Sequence, residues 1–158
     1  IKHLTGKSSH NGEDPVTTYC KLSLAPRYGI AKVEGILLPA EHVDLKKFLE
    51  LDLGKSKTIT SMTLGCIQDI RPWIWLPENV EFFTSSDGVN FELLERITHN
   101  VLEDDYENQV FRFKTNSMIS DVRFVRVKAN PRGLIPEWHL GAGFDRWTFV
   151  DEWEITYK

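Results

Sequence analysis

Cysteine is scarce in this chain: Cys20 and Cys66 are the only two among 158 residues. Two thiols do not make a disulfide scaffold. Their separation is also wrong for a zinc site, which draws on pairs two to four residues apart. Two readings stand: a pair of buried thiols, or one bridge in an oxidising compartment. Long apolar runs are missing too, so no segment is fit to span a membrane as a helix. Basic charge is in deficit: 19 Lys and Arg stand against 23 Asp and Glu, a formal net charge of -4. A phosphate ladder needs a basic stripe, which argues against nucleic acid as the main partner.

The signatures of catalysis are absent as well. "GAGFDR" has neither the strand–turn–helix setting nor the lysine of a phosphate loop. No Gly-x-Ser-x-Gly elbow occurs. His3, His10, His42, His99 and His139 are scattered without metal-ligand spacing. Asp104-Asp105 and Asp151-Glu152 are adjacent pairs. Neighbours on a strand point to opposite faces, so neither pair is expected to converge on one substrate atom. The sequence therefore predicts no enzyme activity of its own.

What is present is an ordinary globular composition, 41% hydrophobic and 27% charged, which argues against global disorder. The length is that of one domain, residues 1–158, without a linker or internal repeat. The chain opens abruptly at "IKHLTGK" and reads as an excised module. Its pattern is mostly period two. "FLELDLGK" puts Leu49, Leu51 and Leu53 on one face and stops at Gly54. "NVEFFTSSDGVNFELL" predicts a hairpin, with Val80 and Phe82 on one face and a two-residue turn at Asp87-Gly88. In "VRFVRVKA", Val125, Val127 and Ala129 alternate with Phe124, Arg126 and Lys128. "TFVDEWEITYK" aligns Phe149, Trp153, Ile155 and Tyr157, but Asp151 shares that parity, which predicts a bulge or a rim acid there. Only "LPAEHVDLKKFLEL" offers a helical turn or two. Six or more strands and almost no helix predict an all-β sandwich or barrel.

Two stretches mix large rings with hydrogen-bonding side chains, the combination that recognises a sugar's C–H face and its hydroxyls. One is "QDIRPWIWLPENV", with Gln68, Arg71, Trp73 and Trp75. The other is "PEWHLGAGFDRWTFVDEWEI", with Trp138, His139, Arg146, Trp147 and Trp153. Either the second stretch is a clasp that closes the fold, or it is a ring-lined loop that holds something. Strand parity puts Trp153 and Phe149 in the core. Trp147 and Arg146 are expected at the loop end, facing a groove that also receives Gln68 and Arg71.

"LELDLGKSKTITSMTLGCIQD", "LPENVEFFTSSDGVNFELL", "VRFVRVKA" and "WTFVDEWEI", in that order, resemble the discoidin, or coagulation factor V/VIII C-type, family. "IPEWHLGAGFDRWTFVDEWEI" and "PWIWLPENVEF" are similar to the module at the C-terminal end of bacterial family 20 β-N-acetylhexosaminidases of the chitobiase type. The resemblance implies a galactose-binding-domain-like jelly-roll β-sandwich, related to family 32 carbohydrate-binding modules. It implies a non-catalytic accessory module, periplasmic or at the cell surface of a bacterium. Its partners would be the catalytic domain of the same chain and a glycan containing N-acetylhexosamine or galactose. The alternative is a structural module that packs on that domain without binding sugar. By the same resemblance Trp147, five residues before Glu152, takes the place of the stacking aromatic, Gln68 lies near the family's arginine, and His42 is the nearby histidine. A structural calcium in such relatives uses the closing-strand glutamate, here Glu152, and an Asp-Gly loop that "SLAPRYGIAKVEGILLP" lacks.

Overall fold

The computed structural model describes residues 48–158 in full, and before them the course of two strands at 21–25 and 30–38. Eight strands carry the fold: β1 (Lys21–Ala25), β2 (Ile30–Leu38), β3 (Leu49–Gln68), β4 (Asn79–Ser85), β5 (Glu92–Thr98), β6 (Gln109–Lys114), β7 (Ile119–Asn130) and β8 (Thr148–Tyr157). Every strand pairing is antiparallel, and the described residues contain no helix. Two-residue periodicity dictates this outcome, since side chains that alternate between apolar and polar can bury only one face of a sheet. The helical turns expected in "LPAEHVDLKKFLEL" fall mostly outside the described residues.

The strand order is β1-β2-β8-β3-β7-β4-β5, with β6 also on β3. β3 organises it. At 20 residues it would run about 65 Å if straight, several times a usual strand. It bends instead. Its first part pairs with β7 through Leu49↔Val127 and Leu51↔Val125, and its last part pairs with β8 on one side and β6 on the other. Register shifts fall between Asp52 and Lys57, Lys57 and Ile59, and Ile59 and Ser61. The strand thus does not stop at Gly54. Gly54 sits at φ 82°, its N–H held by the Asp52 carboxylate at 2.7 Å, and the chain resumes the ladder beyond it.

The sheet curls so that its two parts enclose one core, giving an all-β jelly-roll sandwich. Leu49, Leu51, Val80, Phe82, Val125 and Val127 face Met62, Leu64, Phe113, Val150, Trp153 and Ile155 across it. Trp153 is fully buried, as parity predicts. Phe149 is only half-buried, and Val150 takes the inward place instead. The reason is a bulge: Leu64↔Trp153 is followed by Cys66↔Val150, so β8 spends one residue more than β3 between those pairs. The parity conflict at Asp151 marked the bulge, and the bulge flips every residue before it to the other face.

One further expectation is corrected here. The β4–β5 connection is a loop of residues 86–91 rather than a two-residue turn, although Gly88 does hold φ 76°. Asp87 organises it, its carboxylate accepting from the Val89 and Asn90 N–H groups, both at 2.8 Å, and from the Ser85 hydroxyl at 2.9 Å. These bonds hold the Asp87 carboxyl well below the usual carboxylate range. The closing strand β8 lies between β2 and β3.

Candidate functional site

Three connections meet at one end of the sandwich: residues 69–78, 99–108 and 131–147. Irregular backbone leaves carbonyls without ladder partners, and they must find donors. Here side chains supply them. Gln68 is buried, and its Nε2 donates to the Leu102 carbonyl at 2.9 Å. Trp75 is buried, and its Nε1 donates to the Glu103 carbonyl at 2.9 Å. Arg146 is buried as well; its Nε and Nη2 donate to the Leu134 carbonyl at 3.0 and 2.8 Å. Its Nη2 also pairs with the Glu103 carboxylate, and its guanidinium lies 4.9 Å over the Trp75 ring. His139 is buried, with Nδ1 accepting from the Gly141 N–H at 3.0 Å and the ring edge-on to Trp75.

Gln68, Arg146 and His139 therefore do not face a groove. They staple the three loops to one another from beneath. A small second core of Ile70, Trp75 and Ile135 fills the space between them.

The first loop is pinned at both ends. Asp69 and Ile74 exchange backbone hydrogen bonds at 3.1 and 3.0 Å, and Trp73 N–H closes the turn onto Ile70 at 3.1 Å. Trp73 sits at φ 70°, a left-handed conformation rare for a bulky residue and maintained only where the surroundings fix it. Trp147 supplies that fixation. Its N–H donates to the Trp73 carbonyl at 2.8 Å, and its carbonyl accepts from the Trp75 N–H at 2.9 Å. Trp147 itself is half-buried. The third loop folds on itself, with Ile135 N–H to the Phe144 carbonyl at 2.8 Å, Gly143 N–H to the Ile135 carbonyl at 3.1 Å, and Gly143 at φ 83°.

Rings stand on this platform. Trp73 and Phe144 stack with centroids 5.6 Å apart and planes 21° off parallel. Trp138 lies 6.3 Å from Tyr106, and the exposed Arg71 reaches to 5.9 Å from the Tyr106 centroid. Phe144 is 62% exposed, Trp138 48% and Tyr106 47%, and Leu140 beside them is wholly exposed. Of the residues expected at a binding face, Trp73 and Arg71 are here, while His42 lies outside the described residues. Tyr106 was not anticipated. It sits in the acidic turn "EDDYEN", where no periodicity flags a ring.

The carboxylates behave differently from expectation. The bulge in β8 turns Asp151 and Glu152 to the same arginine: Arg112 lies 3.7 Å from Asp151 and 3.2 Å from Glu152. Asp151 packs over Gly65, where a Cβ would come within 1.9 Å of its Oδ1. Glu152, the acid expected at a calcium site, is thus paired with Arg112; a calcium ion wants six or more oxygens, and the side chains of the loop expected beside it, residues 23–39, lie outside the described residues. Among the described residues no group of three or more His, Cys, Asp or Glu is placed to hold a metal. Cys66 is buried and free, its thiol pushed far up by burial and secondarily by Asp151, which suits a core residue rather than a nucleophile. No family model matches this chain, and no curated protein matches it.

Proposed function

We propose that this chain is a non-catalytic glycan-binding module whose contact face is the ring platform at the loop end. The observation that carries the reading is the exposed Phe144 ring stacked on Trp73, on loops locked by buried polar side chains. A rigid, water-facing ring offers a flat face to sugar C–H groups without a cost of ordering on binding. Arg71 and the Trp138 indole N–H stand at its margin as hydrogen-bond donors. One or two stacked rings yield weak binding, on the order of millimolar to tens of micromolar. Weak binding suffices for tethering, because it raises the local concentration of polymer at a linked catalytic domain. The resemblance of the sequence supplies the setting: an accessory module of a bacterial β-N-acetylhexosaminidase, periplasmic or at the cell surface, with an N-acetylhexosamine- or galactose-containing glycan.

A second reading rests on a different observation. Leu140 is wholly exposed beside Phe144 and the exposed Leu134, and contiguous apolar surface of this kind marks protein contacts as readily as ligands. The face would then pack on the catalytic domain. A glycan array on the isolated chain, run with Phe144→Ala in parallel, tests the first reading. Binding that vanishes in the variant supports it. Absence of binding to every glycan overturns it and leaves the packing face.

A further inference from the structure

We infer that His139 is the positioning residue of the ring platform: its neutral imidazole sets the place of Gly141, Gly141 sets the places of Trp73 and Phe144, and acid therefore weakens glycan binding. The last step rests on the glycan-binding reading; the first two do not. The ground is a row of contacts. His139 Nδ1 accepts from the Gly141 N–H at 3.0 Å. Gly141 touches both members of the exposed stack. A Cβ built on it would come within 2.7 Å of the Trp73 indole, and its carbonyl accepts from the Phe144 N–H at 3.2 Å. Trp73 and Phe144 in turn lie with centroids 5.6 Å apart.

The row begins at an atom with two chemical states. A neutral imidazole whose Nδ1 accepts must carry its proton on Nε2, so the bond to Gly141 selects that tautomer. Protonation turns Nδ1 into a donor. Two N–H groups then face each other across 3.0 Å, and one of them must move. The imidazole is the less free of the two. It is buried, edge-on to Trp75 at 5.2 Å and to Trp138 at 5.7 Å. Its own backbone is held as well, with the His139 N–H on the Pro136 carbonyl and the His139 carbonyl under the Ala142 N–H, both at 3.0 Å. The displacement falls on Gly141 and passes to the stack.

The elements packed on His139 present rings and backbone rather than a counter-charge. Loop 69–78 contributes the Trp75 ring, and its own loop contributes Trp138 and Gly141. The charged groups reached through those rings offset each other: Arg146 lies 4.9 Å from the Trp75 ring and is paired with Glu103. Tyr106 stands against Trp138, and Glu137 is exposed. Among the described residues His139 is in no ion pair.

The test has two arms on the whole chain, each run at pH 7.5 and stepwise down to pH 5.5. In the first, without ligand, nuclear magnetic resonance follows the His139 ring, the Gly141 amide and the Trp73 indole N–H. All three should move on one midpoint. In His139→Asn, whose side-chain oxygen accepts without titrating, the Gly141 and Trp73 signals should stay still. In the second arm a β-1,4-linked hexamer of N-acetylglucosamine is titrated calorimetrically. Its affinity for the parent should fall about five- to tenfold over the interval, and for His139→Asn by less than about twofold. His99→Asn removes the titration of the other histidine at this end and should keep the parent's fall. Gly141 and Trp73 signals that do not follow the His139 ring overturn the inference, and the parent alone decides this even if His139→Asn does not fold. A fall in affinity that persists in His139→Asn, or vanishes in His99→Asn, overturns it too. Coupled signals without binding of the hexamer at pH 7.5 overturn the last step alone and leave the first two standing.

Discussion

The Trp73 indole lies so close to Gly141 that a Cβ at position 141 would approach it to 2.7 Å. The glycine is there because the ring is there. Contact at that range is not relieved by a small rotation, for Trp73 is held by its own left-handed backbone and by Trp147.

Gly141→Ala should therefore cost about 1–3 kcal/mol, the usual range for an overpacked site. It should also disturb the Trp73–Phe144 stack and weaken glycan binding. Denaturant unfolding and titration on the same variant check both effects. An unchanged midpoint with unchanged binding would mean the contact is slack.

Phe144 and Trp153 should separate binding from folding. Phe144 is mostly in water, so Phe144→Ala should abolish binding and leave the melting midpoint nearly unmoved. Trp153 is fully buried in the main core, where truncation to alanine costs about 3–5 kcal/mol, much of a domain's marginal stability. Loss of fold in Phe144→Ala would turn the loop into a clasp.

How far the sequence foretold this arrangement depends on whether local periodicity was in charge. Leu49 with Leu51, Val80 with Phe82 and Val125 with Val127 are buried as their alternation demands. The bulge near Asp151 was readable because an acid stood on an apolar parity. The shifts inside β3 were not, since Gly54 reads equally well as an end or as a kink. The loop end was least legible. Arg, Gln and His beside tryptophans look the same whether they bond sugar hydroxyls or stray loop carbonyls. The choice is made by how many carbonyls the irregular backbone leaves unpaired, and only the folded chain fixes that.

Gly88 gives a third prediction. Its φ of 76° and a Phe124 ring 3.0 to 3.2 Å from a built Cβ exclude a β-branched side chain on two grounds. Gly88→Val should destabilise by about 1–3 kcal/mol, read as a lower unfolding midpoint. Gly54→Val has only the backbone penalty, as nothing stands within 4 Å there, and should cost less. Equal losses would count against the Phe124 contact.

His99 makes stability depend on pH. Its Nδ1 accepts from the Val101 N–H at 3.1 Å, and its ring packs on Phe111 and Phe113 at 5.8 and 6.0 Å. Nδ1 can accept only while the imidazole is neutral. Burial first, and the charge of Arg132 second, lower its pKa below the usual 6.5, with a backbone contact to Pro77 opposing them in part. The unfolded chain therefore binds a proton at a higher pH than the folded one. Stability from this residue is complete above about pH 6.5 and falls as pH drops from there through the folded pKa, levelling off below it. The loss is felt in loop 99–108, where the Leu102 and Glu103 carbonyls receive Gln68 and Trp75. His99→Asn keeps an oxygen acceptor two residues before Val101 and removes the titration. The variant should lose the decline in melting midpoint that the parent shows between about pH 7 and pH 5. Parallel midpoint curves for the two proteins over that interval would show that His99 stays outside the linkage.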